Sequence, residues 1–269
     1  MLLCGSQRRK VNEKFANLYL ASVFVLLYIP IFYLIFYSFN KGGDMNGFTG
    51  FTLEHYQTMF EDSRLMTILL QTFVLAFSSA LLATIIGIFG AIFIHHVRGK
   101  YQNAMLSANN VLMVSPDVMI GASFLILFTS LKFQLGMSSV LLSHIAFSIP
   151  IVVLMVLPRL KEMNQDMVNA AYDLGANYFQ MLKEVMLPYL TPGIIAGYFM
   201  AFTYSLDDFA VTFFLTGNGF TTLSVEIYSR ARQGISLDIN ALSTIVFFFS
   251  ILLVIGYYYM SQDKEEKHA

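Results

Sequence analysis

Ionisable residues that fall inside apolar runs are the strongest candidates for chemistry in this chain. Asp207 and Asp208 sit midway along YSLDDFAVTFFL (204–215), Asp117 directly follows Pro116 in a second apolar run, and His144 lies inside a third. An ionised aspartate at the centre of a membrane-spanning helix costs about 2.5–3.5 kcal/mol, against gains of about 0.3–0.6 kcal/mol per large apolar residue. Two adjacent carboxylates consume most of one span's surplus, so they must face water, a partner or protein interior. Two readings stay open. Either the helix ends early and the pair caps its outer end, or one carboxylate lines a path for a cationic solute. Adjacent helical positions point about 100° apart, so both cannot line one path. Asp117 poses the same question. His144 is read as bonding a neighbouring helix, with a role in a pathway as the alternative. Glu226 and Asp238 are placed at the outer surface.

Other chemistries find no support. There is no GxxxxGK[ST] phosphate loop, and GNGF at 217–220 lacks the further glycine and the strand–helix context of a dinucleotide site. Basic residues are sparse and flank apolar runs, which argues against a nucleic-acid surface. The histidines His55, His95, His96, His144 and His268 are scattered, and the adjacent pair diverges on a helix, so no metal set is expected. A single cysteine, Cys4, excludes an intrachain disulfide and is read as a free thiol. The expectation is a protein without catalytic residues and without a directly bound cofactor.

The elements that must position these residues are membrane spans. Of 269 residues 57% are apolar and 12% charged, against about 25% charged in a soluble domain. The mean hydropathy is +0.64. An all-α, polytopic membrane protein follows. About 20 apolar residues cross roughly 30 Å of hydrocarbon. Six runs qualify: 17–39 with Pro30 inside it, 65–94, 104–130 interrupted by Pro116, 139–157 interrupted by Pro150, 189–215 and 237–260. The first is too long for a signal peptide and no small-residue cleavage site follows it, so it is read as a retained span. The layout is a terminus over 1–16, a six-span domain over 17–260 and a tail over 261–269. In the polar loop 41–63, TLEHYQTMFED puts Leu53, Tyr56 and Phe60 on one side of a short surface helix.

Lysine and arginine counts orient the spans. Arg8, Arg9, Lys10, Lys14, Arg98, Lys100, Arg159, Lys161, Lys183, Lys264 and Lys267 fall on one side. Lys41, Arg64, Lys132, Arg230 and Arg232 fall on the other. The positive-inside rule puts both termini, and the stretch 159–188, in the cytoplasm of a plasma-membrane protein.

That stretch is the longest polar interruption of the later spans. Met167, Ala170, Ala171 and Leu174 fall at i, i+3, i+4 and i+7, while Asp166, Asn169 and Asp173 line another face. Gly175 stops the helix and Asn177 caps a second one, in which Tyr178, Leu182 and Val185 align until Pro188 ends it. A plain connector needs no such apolar stripe. Apolar surface in water costs about 25 cal/mol per Å², so a bound partner is expected to cover it.

With this loop inside the cell, AAYDLGANYFQMLKEVMLP (170–188) resembles the EAA loop of binding-protein-dependent ABC importer permeases. That pattern reads E-A-A, three residues, G, nine residues, I, any residue, L-P. Ala170, Ala171, Gly175, Leu187 and Pro188 match at the right spacing; Asn169 replaces the glutamate and Val185 the isoleucine. Asp166, one turn earlier, is the carboxylate that could stand in. TLEHYQTMFED, SPD (115–117), HIAFSIP (144–150), SLDDFAVTFFLTG (205–217) and INALST (239–244) look like the spermidine/putrescine permease subgroup, and most like its C-type subunit.

The resemblance implies a type I importer permease fold and a transport subunit that does no covalent chemistry. It implies a second, non-identical permease and two cytoplasmic ATPase subunits that consume the ATP. It also implies an extracytoplasmic binding protein that delivers solute. The EAA-type loop, with Asp166, Asn169, Ala170, Ala171, Asp173, Leu174, Gly175, Leu187 and Pro188, would dock on an ATPase. Asp207, Asp208 and Asp117 would line the solute path. Carriage of another small solute on the same frame is the alternative. An ion-coupled secondary transporter would carry more intramembrane ionisable residues and more spans.

Overall fold

The computed structural model describes residues 3–217, 219–233 and 237–265, with side chains from residue 15 onward except 253 and those beyond 255. Cys4, the basic side chains of the N-terminus, and Lys264, Lys267 and His268 lie outside that description. Among the described residues every regular element is helical, apart from two isolated bridges, Asn40–Phe51 and Gly217–Phe220. In chain order the helices are α1 (Leu3–Tyr37), α2 (Glu54–Glu61), α3 (Ser63–His96), α4 (Lys100–Val114), α5 (Asp117–Ser130), α6 (Met137–Glu162) and α7 (Gln165–Asp173). Then follow α8 (Tyr178–Met181), a π-helical turn (Leu182–Met186), α9 (Leu187–Asp207), α10 (Ala210–Leu215), α11 (Leu223–Gln233) and α12 (Leu237–Glu265).

Four segments are long and apolar enough to cross a membrane: Phe15–Tyr37, Ser63–His96, Met137–Glu162 and Tyr178–Asp207. A fifth forms if α4 and α5, which meet at a bend of 102°, count as one broken span. The apolar stretch Leu237–Leu252 of α12 fits the sixth. The break between α4 and α5 falls at Ser115–Pro116, as the sequence predicts, because proline disfavours helical backbone in the residue before it. Pro150 does not interrupt its span. α6 runs unbroken through Pro150 and Pro158 to Glu162, and Pro150 is buried among packed helices.

The chain forms two compact units. The first comprises residues up to Ser63 and from Arg230 onward. No residue of α1 from Phe15 to Tyr37 is buried, so this face is left to lipid or partners. At its end the buried Asn40 ties down the outer loop: its Nδ2 donates to the carbonyls of Asp44 (3.0 Å) and Gly47 (2.9 Å), and its Oδ1 accepts from the Thr49 N–H (2.8 Å). His55, on α2, bonds the Asn40 carbonyl (2.8 Å) and the Asp238 carboxylate (3.1 Å), which joins α2 to α12. Leu53 and Phe60 stay exposed beside a buried Met59, as a helix lying at a membrane surface requires.

The second unit, Arg64–Ser229, holds the core. Leu75, Ile120, Phe128, Val140, Phe147, Val211, Leu215 and Phe220 form its buried centre, drawn from α3, α5, α6, α10 and the turn after α10. Close approach of α5 to α10 depends on Gly121. A Cβ there would stand 2.8 Å from Phe214 Cδ2, 3.0 Å from Val211 Cα and 3.1 Å from the Ala210 carbonyl oxygen. Backbone atoms cannot swing aside, so Gly121→Val is expected to destabilise the fold by about 1–3 kcal/mol through overpacking. An unchanged melting temperature of the purified variant in detergent would contradict this. Glu226, expected at the surface, is instead buried at 5% exposure and paired with Arg64 at 3.1 Å.

Candidate functional site

The fifth run breaks where the two aspartates fall. α9 ends at Asp207, Asp208 is extended (φ −61°, ψ 122°), and α10 restarts at Ala210. The run expected over 189–215 is thus two helices. Asp208 caps the second: its carboxylate accepts the N–H groups of Val211 (3.3 Å) and Thr212 (2.8 Å) and the Thr212 hydroxyl (2.7 Å). Its side chain is only 6% exposed.

His144 of α6 completes the cap from across the core. Its Nε2 lies 2.9 Å from Thr212 Oγ1 and 3.4 Å from Asp208 Oδ2. Because the Thr212 hydroxyl proton is given to Asp208, its oxygen accepts from His144, which places a proton on Nε2. The Nδ1 meets the Ser205 hydroxyl at 2.7 Å, and Ser205 meets Ser79 of α3 at 2.8 Å. His144, Ser79, Ser205 and Thr212 are all buried. Four helices are therefore held on one satisfied polar chain, and a buried polar group in such a network costs little only while every member is paired. The sequence reading of His144 as a bond to neighbouring helices describes this geometry.

Asp207 has the opposite surroundings. It is exposed and makes no hydrogen bond or ion pair among the described residues. It also ends a 21-residue helix, where the free carbonyls and the helix dipole are already negative. One turn earlier on the same face, the Tyr204 hydroxyl donates to Asp117 Oδ1 at 2.8 Å. Asp117 is itself exposed at the first turn of α5. Tyr204 packs edge-on against Phe147 (5.0 Å between ring centres), and Phe147 packs on His144 (4.8 Å). Tyr204 thus ties the end of α9 to Asp117, Asp207 lies exposed one turn beyond Tyr204 on the same helix, and Asp208 is withdrawn into the interior. Exposed carboxylates, an aromatic ring and a helix C-terminus attract cations and repel anions. Sequence reasoning missed Tyr204, Ser205 and Thr212. Thr212 stands four residues beyond Asp208, a spacing that suits an aspartate capping a short helix, and that was the available signal.

The second candidate region is the stretch 159–188. Asn164 caps α7 by accepting the Asp166 N–H at 2.9 Å. The helix ends on a Schellman turn: the Ala176 N–H bonds the Ala171 carbonyl (3.0 Å) and the Gly175 N–H bonds that of Tyr172 (2.9 Å). Gly175 sits at φ +85°, the left-handed region that glycine enters without strain. Asn177 and Gln180 then form a reciprocal capping box at 2.9 Å each way.

Two expectations for this stretch are corrected. Pro188 does not end the second helix, because Tyr178–Asp207 continues as one span. The π turn at Leu182–Met186 widens the hydrogen-bond spacing directly before Pro188 and absorbs its missing N–H. The apolar residues of α7 also do not form one stripe. Ala171 and Val168 turn inward, at 9% and 7% exposure, whereas Leu174 is 89% exposed and Met167 and Ala170 face outward with it. Asp166, Asn169, Asp173 and Gly175 are exposed as well; Leu187 is half-buried and Pro188 exposed. What reaches the surface is a short apolar edge, Met167–Ala170–Leu174, continued by Tyr178 and Phe179 and rimmed by Asp166 and Asp173.

The family model described as "Binding-protein-dependent transport system inner membrane component" matches residues 2–263. The chain is similar to the spermidine/putrescine transport system permease protein PotC of Escherichia coli (strain K12), with 36% identity over 246 residues, 91% of this chain and 93% of that one. It is also similar to the putrescine transport system permease protein PotI of the same strain, with 31% identity over 252 residues, 91% of this chain and 90% of that one. Among solved structures, a bacterial ABC transporter involved in the import of the acidic polysaccharide alginate superimposes with a TM-score of 0.75 at 17% identity, covering 96% of this chain and 98% of that one. The last likeness is one of fold.

Proposed function

This chain belongs to the family of binding-protein-dependent transport system inner membrane components, and from that premise we propose that it is the membrane-spanning subunit of an ATP-driven importer for polyamines. The family makes it a transport subunit rather than an enzyme, with ATP consumed by a separate partner. The single observation that carries the polyamine reading is that two aspartates stay exposed at the ends of apolar helices, Asp207 at the end of α9 and Asp117 at the start of α5, where Tyr204 bonds it. Carboxylates facing lipid cost about 2.5–3.5 kcal/mol each, so this face needs water and a second permease subunit to enclose it. A flexible polycation supplies the compensating charge in such a low-dielectric path. The permease names of the two similar chains, for spermidine/putrescine and for putrescine, support the same class of cargo.

In this reading both termini and the stretch 159–188 lie in the cytoplasm. The exposed edge Met167–Ala170–Leu174 docks on one of two ATPase subunits, and an extracytoplasmic protein delivers solute to the other face. ATP binding draws the two docking helices together and opens the path outward; hydrolysis resets it. Transport then rests on two arrangements of the permease that its partners favour differently. The companion permease is a non-identical chain.

The test is uptake into proteoliposomes that contain the complete transporter. Asp207→Asn is expected to lower spermidine and putrescine uptake about tenfold, as loss of one charge-pairing group does. Uptake that stays unchanged in Asp207→Asn and in Asp117→Asn would sink the cation path. Transport of a neutral solute with equal efficiency would redirect the reading to another importer of the same frame.

A further inference from the structure

Two adjacent aspartates with opposite surroundings need something that decides between them, and His144 is placed to do it. Buried within α6, it bonds the groups that close the break after α9 and packs on Phe147, the ring against which Tyr204 stands. On one side its Nε2 reaches Thr212 (2.9 Å) and Asp208 (3.4 Å), which close the break after α9. On the other its ring packs on Phe147, which holds Tyr204 edge-on, and Tyr204 holds Asp117. Its Nδ1 bond to Ser205 pins α9 two residues before Asp207. Without a donor at the Nε2 position, Asp208 would lose a partner at the break, and the pull that keeps it inside would weaken. The rotation of the last turn of α9 would then be free to change, and with it the direction in which Asp207 points.

We infer that His144 is a positioning residue for cation passage: it keeps Asp208 inside as the cap of α10 and thereby presents Asp207, beside the Tyr204–Asp117 pair, as the carboxylate that meets the solute. The inference rests on the cation-path reading given above. It assigns His144 no contact with solute and no proton transfer. Discrimination for cations then comes from a single free carboxylate at a helix C-terminus, with its neighbour occupied by internal hydrogen bonds.

Two near-isosteres separate this role from ordinary packing. Glutamine places an amide nitrogen near the Nε2 position and asparagine near Nδ1, so His144→Gln keeps the Thr212–Asp208 side and His144→Asn keeps only the Ser205 side. The readout is solute moved per ATP hydrolysed by the complete transporter in proteoliposomes. His144→Asn is expected to lower it about tenfold, and His144→Gln to restore it to within about threefold of the unsubstituted protein. Adding Asp207→Asn to His144→Asn is expected to cost less than about twofold more, because the two changes remove one interaction. If the Asn and Gln variants fall equally, or if the combined loss approaches the product of about a hundredfold, His144 only supports the fold and the inference is wrong, while Asp207 keeps its place in the path. If Asp207→Asn alone leaves the ratio unchanged, the path reading itself fails and the inference falls with it. Should both His144 variants fail to assemble, Thr212→Ser must keep the ratio and Thr212→Val must lose it; equal behaviour of that pair overturns the inference.

Discussion

Replacing Asp208 with alanine is expected to destabilise the protein by about 3–5 kcal/mol, because several buried donors lose their shared acceptor at once. The substitution strands the N–H groups of Val211 and Thr212, the Thr212 hydroxyl and His144 Nε2 in a site where the carboxylate is 6% exposed. Each unsatisfied buried donor carries a penalty of about 1–3 kcal/mol, partly relieved by relaxation. Asparagine keeps one carbonyl acceptor for this cluster, so Asp208→Asn is expected to lose about half as much or less. Asp207→Ala removes no hydrogen bond among the described residues and is expected to leave stability within about 0.5 kcal/mol, as surface changes do. Thermal unfolding of the purified subunits in detergent ranks the three. Equal melting temperatures for Asp207→Ala and Asp208→Ala would contradict the division of labour between the adjacent residues.

The second large effect is expected in the stretch 159–188, proposed above to dock on an ATPase. Ala171→Asp puts a carboxylate where the side chain is 9% exposed, against Val168 and the turn that follows α8. A charge in so enclosed a place is costly, so α7 is expected to swing away to hydrate it. The exposed edge of Met167, Ala170 and Leu174 moves with it. Solute moved per ATP hydrolysed is expected to fall at least about tenfold, or the ATPase to dissociate, while the protein still reaches the membrane. Gly175→Val perturbs the same loop by another route. Nothing stands within 4 Å of a Cβ there, so its effect comes from φ +85° alone, about 1–2 kcal/mol for a residue with a side chain. The aspartate is accordingly the more damaging of the two. Normal coupling in Ala171→Asp would remove α7 as the docking element.

Much of this loop was legible beforehand because its signals are local. A left-handed turn selects glycine at 175, and a helix start selects the side-chain acceptor of Asn177. The split of the α7 face was not legible. Met167, Ala170, Ala171 and Leu174 share a helical stripe by spacing, but the direction from which the π turn and α8 approach selects Ala171 and Val168 for burial. Pro188 misled for a related reason. Proline ends a helix when its missing bond has no substitute, and here a π turn supplies one.

The chain alone announces apolar runs of membrane length and the break at Pro116, since composition and backbone sterics act over a few residues. It also announces that Asp207 and Asp208 cannot both face lipid. Which of the two turns inward follows from contacts far apart in the chain: His144 lies 64 residues before Asp208 and Tyr204 lies 87 residues after Asp117. No local rule distinguishes two identical neighbouring side chains. Packing of α6 against α9 and of α5 against α10 does so, by offering one aspartate a set of donors and leaving the other exposed.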